Sequence, residues 1–273
     1  MKLHTATLHA AAAAVILSAA GCCGNFDSKF DAGTPREKIA LTRAPGKVKL
    51  DGVLDEKEWA GAVVHRMSPA YSPQNPMYNP PKVLANKSWK GHVVDPFQGG
   101  TIRLMYDDEN LYVGAELDDV DVMQYGNTDQ SHFYTTGDTL EIFLKPENSP
   151  NYWECYGTPN GKKTSLFFET RGYPRHPSTD VLMPGFDNAV KVHGTLNSNK
   201  DKDKGWTIEI VFSRKELAKA GCEFKPEEPW TILISRYNYT YGSKEGGVQF
   251  STCPEIPVVN YHHLEYYGLL DWK

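Results

Sequence analysis

Several stretches of the chain alternate apolar and polar residues with a period of two. In TIRLMY, Ile102, Leu104 and Tyr106 share one face. In LYVGAEL the shared face carries Leu111, Val113, Ala115 and Leu117. TLEIFL puts Leu140, Ile142 and Leu144 on one side, with Glu141 and Phe143 opposite. WTIEIVF turns Trp206, Ile208, Ile210 and Phe212 inward, and Thr207 and Glu209 outward. Side chains alternate across a strand, so this pattern predicts half-buried antiparallel strands. The polar run Asp107-Asp108-Glu109-Asn110 predicts a hairpin turn between the first two stretches, and Asn160-Gly161 predicts another between YWECY and TSLFFET.

Helical signals are few. Ser213-Arg214-Lys215-Glu216 reads as a capping box, in which Ser213 bonds the third helical N–H and Glu216 reaches back. The short helix then ends at Gly221, suited to a left-handed terminus. Asp55-Glu56-Lys57-Glu58 predicts a second short helix, capped by Asp55 and carrying Trp59. An amphipathic helix buries one stripe, so Trp59 is expected in the core rather than displayed as a ligand platform. Trp206 alternates with core isoleucines, and Trp153 and Trp230 flank strands, so all three are also expected inside. Residues 68–100 are rich in Pro, Asn and Gly and read as a long loop or insertion that includes Trp89. Strands at hairpin spacing with one or two short helices predict an all-β, antiparallel β-sandwich of the immunoglobulin or jelly-roll kind over residues 39–273.

Composition narrows the function. Aromatics make up 12% of the 273 residues, Tyr occurs 15 times, and Gly 23 and Pro 18 supply many turns. A formal net charge of −5 without a basic stripe argues against a nucleic-acid partner, which needs clustered Lys and Arg. At the N-terminus, Lys2 precedes the apolar run Ala10–Ala20, too short to span a bilayer as a mature helix. Residues 1–21 therefore read as an export signal and 22–38 as a polar tether. The run Leu17-Ser18-Ala19-Ala20-Gly21-Cys22 resembles a lipobox, which makes Cys22 the expected lipidation site and a lipid anchor the expected membrane contact. Ordinary signal cleavage near Ala20 is the alternative. In an oxidising compartment, Cys155, Cys222 and Cys253 allow one disulfide and one free thiol.

Five segments, in order, resemble one family. They are LDGVLDEKEW, IRLMYDDENLYVGAELDDVDV, GDTLEIFLKP, GWTIEIVFSRKEL and NYHHLEYYGLL, and together they resemble the family 9 carbohydrate-binding module and its wider relatives. The resemblance implies a non-catalytic β-sandwich that binds a glycan between two aromatic rings, supports polysaccharide capture, and works beside glycoside hydrolases. Carried onto this chain, one ring is Tyr134, with Phe133 as the alternative, and the other is Tyr261. Glu141 matches a polar contact of the family. An Arg and an Asn of the family fall at Glu154 and Tyr156, so neither is kept.

The chemistry suits those residue types. A pyranose shows apolar C–H faces and a hydroxyl rim, which an aromatic face and carboxylate or amide groups complement. His262 and His263 can add hydrogen bonds or be solvated, with at least one of the two expected to be solvated, and Trp89 is a candidate extra contact from the insertion. Tyr134 and Tyr261 equally suit packing at a rim. Asp118, Asp119 and Asp121 form a candidate calcium group, with a solvated acidic turn as the plainer reading. Asp138 and Glu141 lie three apart on one strand, on opposite faces, so they do not make a glycosidase acid–nucleophile pair. Two other classes stay open: a haem-binding electron-transfer sandwich using Met105, Met123 or His132, and a structural or adhesion surface lipoprotein.

Overall fold

The computed structural model describes residues 35–70, 97–172, 181–240, 248–257 and 259–273, and the backbone of 87–89, 92–94 and 173–174. Among the described residues, sixteen strands follow in chain order. They are β1 (Lys38–Arg43), β2 (Val64–Arg66), β3 (Ser68–Pro69), β4 (Lys87–Trp89), β5 (His92–Val94), β6 (Gly100–Tyr106), β7 (Asn110–Leu117), β8 (Thr139–Pro146), β9 (Tyr152–Gly157), β10 (Lys163–Thr170), β11 (Tyr173–Pro174), β12 (Asp187–Val192), β13 (Trp206–Ser213), β14 (Trp230–Tyr239), β15 (Val248–Cys253) and β16 (Gly268–Trp272).

All but β4 and β5, which pair only with each other, build two layers that share β1. One sheet runs β11-β10-β9-β8-β14-β16-β1, and the other runs β1-β6-β7-β13-β12. The first half of β1 pairs in parallel with β16, from Lys38↔Leu269 to Leu41↔Trp272. Its end pairs in parallel with β6 at Thr42↔Met105 and Arg43↔Tyr106. The alternating stretches meet between the layers. Ile102, Leu104, Val113, Ala115, Ile208 and Ile210 from one sheet pack against Ile142, Leu144, Cys155, Ile232 and Ile234 from the other. Burying each of the Val, Leu and Ile side chains among them contributes about 1.5–3 kcal/mol.

Alternation located the inner face correctly, but the strands are not half-buried. Every position of β8 and of β9 is buried. Loops cover the outer face of their sheet with a second cluster that includes Phe143, Tyr152, Phe168, Leu233 and Tyr267. A third cluster, Val48, Trp59, Ala62, Met105 and Tyr112, covers the outer face of the other sheet. Trp153, Trp206 and Trp230 are all buried, as expected.

The stretch KLDGVLDEKEW forms the heart of that third cover. Glu209 does not point into solvent, as its place in the alternation implied, but is fully buried. Its Oε2 accepts the backbone N–H groups of Asp51 and Gly52, each at 2.7 Å, and its Oε1 accepts Trp59 Nε1–H at 2.8 Å. Burial pushes the Glu209 carboxyl up, and these donors pull it back. Gly52 takes a φ of 84°, and a Cβ there would stand 2.5 Å from the Val190 carbonyl carbon. Gly114, mid-strand in β7, leaves the room into which the Trp59 ring sits, since a Cβ would meet that ring at 2.9 Å.

Both α-helices among the described residues are single turns, Lys57–Ala60 and Arg214–Leu217, and neither has the expected cap. The N-cap of the first is Glu56 rather than Asp55, and neither N-cap side chain makes a capping bond. Glu216 pairs with Lys219 instead of reaching back. Tertiary bonds replace the box: the Arg214 N–H donates to the Glu109 carbonyl at 2.9 Å, and its guanidinium donates to the Asp107 and Phe224 carbonyls. A 3-10 turn, Ala218–Ala220, then ends as expected at Gly221, with a φ of 119°. Cys155, Cys222 and Cys253 are all free thiols, so the disulfide allowed by their number does not form among them.

Glu209→Ala strands two backbone donors and an indole N–H in a buried place. It is expected to destabilise the fold by about 3 kcal/mol or more, read as a lower urea midpoint.

Candidate functional site

The outer face of the β8–β9–β14 sheet gathers the polar and aromatic groups that the inner core excludes. Register aligns them. Glu141 lies opposite Tyr156 on one side and Ser235 on the other, and Phe143 lies opposite Glu154 and Leu233. Tyr237 follows two residues after Ser235 and so shares its face. Two loops close over this face. The 3-10 turn Phe133–Thr135 brings Tyr134, and the segment before the 3-10 turn Leu264–Tyr266 brings Tyr261 and His262.

Two carboxyl groups lie under the rings. Ser235 Oγ–H donates to Glu141 Oε2 at 2.8 Å, and the Tyr156 hydroxyl donates to Glu154 Oε1. Glu154 Oε2 and the Tyr261 hydroxyl are buried and have no hydrogen-bond partner among the described residues. His262 Nε2 stands 3.9 Å from Glu154 Oε2. The other ring nitrogen, Nδ1, is 2.8 Å from the Tyr152 hydroxyl. Burial, then the charge of Glu154, pushes the Glu141 carboxyl well above its usual range. Burial raises the Glu154 carboxyl from 4.5 to about 7, against the Tyr156 hydrogen bond. His262 is pushed down by burial and by the charges of Arg171 and His263.

The structure brings Tyr134, Tyr261, Glu141 and His262 to one face, but it does not leave a slot between the two tyrosines. Tyr237 bridges them: its ring stacks on Tyr134 with centroids 5.5 Å apart and meets Tyr261 edge-on at 5.7 Å. Tyr261 is buried at 6% exposure, whereas Tyr134 and Tyr237 are half-buried. Phe133, the alternative ring, is fully buried, and its carbonyl is held by Gln124 Nε2. His262 and His263, of which at least one was expected to be solvated, are both half-buried, and His263 Nδ1 is enclosed without a partner among the described residues. Sequence reasoning missed Tyr237 and Ser235, and met Glu154 and Tyr156 only as departures from a family pattern. The signal for the first two was in WTILISRYNY, whose alternation puts Leu233, Ser235 and Tyr237 on the face away from Ile232 and Ile234.

The other candidates fall elsewhere. Asp119 is fully buried in an ion pair with Arg236 at 3.0 Å, and Asp118 is exposed. The acidic loop is therefore drawn into a salt bridge rather than gathered as a calcium group, and no cluster of three His, Cys, Asp or Glu suited to a metal occurs among the described residues. Asp138 accepts the Met123 and Tyr239 N–H groups at 2.7 Å each and is thereby used structurally. Of the haem-ligand candidates, Met105 packs under Trp59, whereas His132 is exposed and tilts against Tyr134. The Trp89 side chain, most of residues 68–100, and Cys22 lie outside the described residues.

A model of the family described as "carbohydrate family 9 binding domain-like" matches residues 75–223. That is more than half of the 273 residues, and the chain belongs to this family, whose members are binding domains rather than catalysts. Solved structures share the fold. A candidate carbohydrate-binding protein from Bacteroides uniformis superposes with a TM-score of 0.63 at 11% identity, over 87% of this chain and 99% of that one. A family 9 carbohydrate-binding module from Caldicellulosiruptor kristjanssonii, in complex with cellotriose, gives 0.52 at 16% identity, over 87% and 94%. The module from the same organism in complex with glucose gives 0.51 at 16%, over 87% and 96%. No curated protein matches.

The raised carboxyls set a pH dependence. Because Glu154 has a higher pKa folded than unfolded, the folded state holds the extra proton between the two values. Its contribution is full below about 4.5 and is lost as pH rises through about 7. Denaturant titrations are expected to show stability falling across that window by up to about 3 kcal/mol, and Glu154→Gln is expected to flatten the fall.

Proposed function

We propose that this chain is a non-catalytic glycan-binding β-sandwich whose ligand sits on the outer face of β8, β9 and β14. The observation that carries the reading is the meeting, in a member of this family, of the half-buried rings of Tyr134 and Tyr237 with the carboxyls of Glu141 and Glu154. Tyrosine faces cover sugar C–H groups, while the carboxyls and His262 take the hydroxyl rim. Tyr237 then replaces one ring of the expected pair, with Tyr261 buttressing it from behind. The Caldicellulosiruptor modules, bound to cellotriose and glucose, make neutral glucans the first ligands to try. Affinity electrophoresis in glucan and xylan gels is expected to retard the protein. Tyr134→Ala and Tyr237→Ala are each expected to weaken binding about tenfold, or ~1.4 kcal/mol. Unretarded migration in every glycan tested would remove the proposal. It would favour a structural or adhesion role, to which the burial of Tyr261 also lends itself.

The reading includes export and acylation at Cys22, which would hold the domain at a membrane surface beside glycoside hydrolases during polysaccharide capture. The lipobox-like run before Cys22 supports it. In a host that processes lipoproteins, the protein is expected in the detergent phase of a cloud-point partition, with Cys22→Ser in the aqueous phase. Aqueous partition of the unaltered chain would sink the anchor.

A further inference from the structure

Glu141 and Glu154 are more than a hydroxyl-accepting rim requires. They lie diagonally across paired strands on one face, and each is buried to 5% exposure or less. The described groups that face them are neutral or weakly basic: Tyr152 and Tyr156 from β9, Ser235 and Tyr237 from β14, and Tyr134, Tyr261, Tyr267 and His262 from the loops. No Lys or Arg forms an ion pair with either carboxyl among the described residues. Arg171 is spent at the rim on Glu265. His262 stands closest to Glu154 but is held toward its neutral form by burial, Arg171 and His263. Burying a charge without a counter-charge is costly, so the free protein meets the deficit with protons.

That deficit has a shape. Glu154 Oε2 has no hydrogen bond, and the unpartnered Tyr261 hydroxyl lies within the field of Glu141. Tyr134 meets Tyr156 edge-on at 6.1 Å and stacks on Tyr237, so π-rich rings wall the carboxyls on several sides. The side chain of His262, 37% exposed and 3.9 Å from Oε2, marks the way in from solvent. An acid surrounded by aromatic rings is the chemistry that receives an ammonium group, through charge-assisted hydrogen bonds and cation–π attraction.

Resting on the glycan reading above, we propose that the bound sugar carries a free, protonated amine, that is, an amino sugar, whose ammonium group lodges against Glu154 Oε2 among the tyrosine faces. Binding then displaces a proton from the carboxyl pair, and the ammonium takes its place.

Calorimetry of the full chain with a glucosamine oligosaccharide, its N-acetylated counterpart and cellotriose tests this. Near pH 6 the free amine is expected to bind about tenfold tighter than the acetylated form. Its binding enthalpy should vary with the ionisation enthalpy of the buffer, which reports the displaced proton. Glu154→Gln is expected to erase the preference for the amine. Equal affinities for amine and acetamide would overturn the inference and leave the glycan reading standing if cellotriose binds. Failure of all three sugars would overturn both. A preference that survives in Glu154→Gln would overturn the placement at Glu154. Should that variant not fold, the comparison of the three sugars and the proton release still decide.

Discussion

Arg236 is a guanidinium with no solvent exposure, set in the middle of the strand that also carries Ser235 and Tyr237. It points to the inner side of β14, where it pairs with Asp119 and donates to the carbonyls of Gln98 and Gly99 at 3.1 and 2.8 Å. A buried cation is tolerable only when such partners are all in place, so this group dictates where three separate segments must lie. Asp138 completes the arrangement from the other end of the loop. Its carboxyl is pushed up by burial and by Asp119, while Arg236 draws it down. The loop between Asp119 and Asp138 carries Tyr134 and is thus tied at both ends. On the opposite side of the same strand stand Ser235 and Tyr237. One buried ion pair fixes both the ring that arrives by loop and the ring that arrives by strand.

The division of labour between faces explains how much could be read from the residues alone. The inner core follows from alternation, because a strand facing another sheet has no other way to hide its apolar side. The outer faces do not follow, because what covers them comes from distant segments. Glu209 looked solvated for that reason: nothing local to WTIEIVF reveals that Asp51, Gly52 and Trp59 will close over it. The helix caps were misread from the opposite cause. A capping box is a local rule, and a single turn of helix is short enough for Arg214 to satisfy its surroundings through tertiary bonds instead.

The grouping of the candidate residues on one face was legible in outline. Tyr134, Tyr261, Glu141 and His262 do converge, because family motifs place them on segments whose order the fold preserves. What went unread was the ring that intervenes, although the alternation before it pointed to its face. Tyr237 sits on a strand outside the family motifs, and Arg236 interrupts the apolar rhythm of Ile232 and Ile234 just where the ring begins, which weakens the signal without removing it. Glu154 and Tyr156 looked like losses only while they were matched one by one against another pattern. Across the β8–β9 register they form a self-consistent pair with Glu141, with a different charge character from the Arg and Asn they replace.

Strand β1 has a mechanical consequence. Its first residues run parallel to β16 in one layer and its last run parallel to β6 in the other, so it stitches the two sheets along their shared edge. Tension arriving through the chain ahead of Lys38 therefore meets a strand that both sheets hold, and it reaches the ladder to β16 before the ladder to β6.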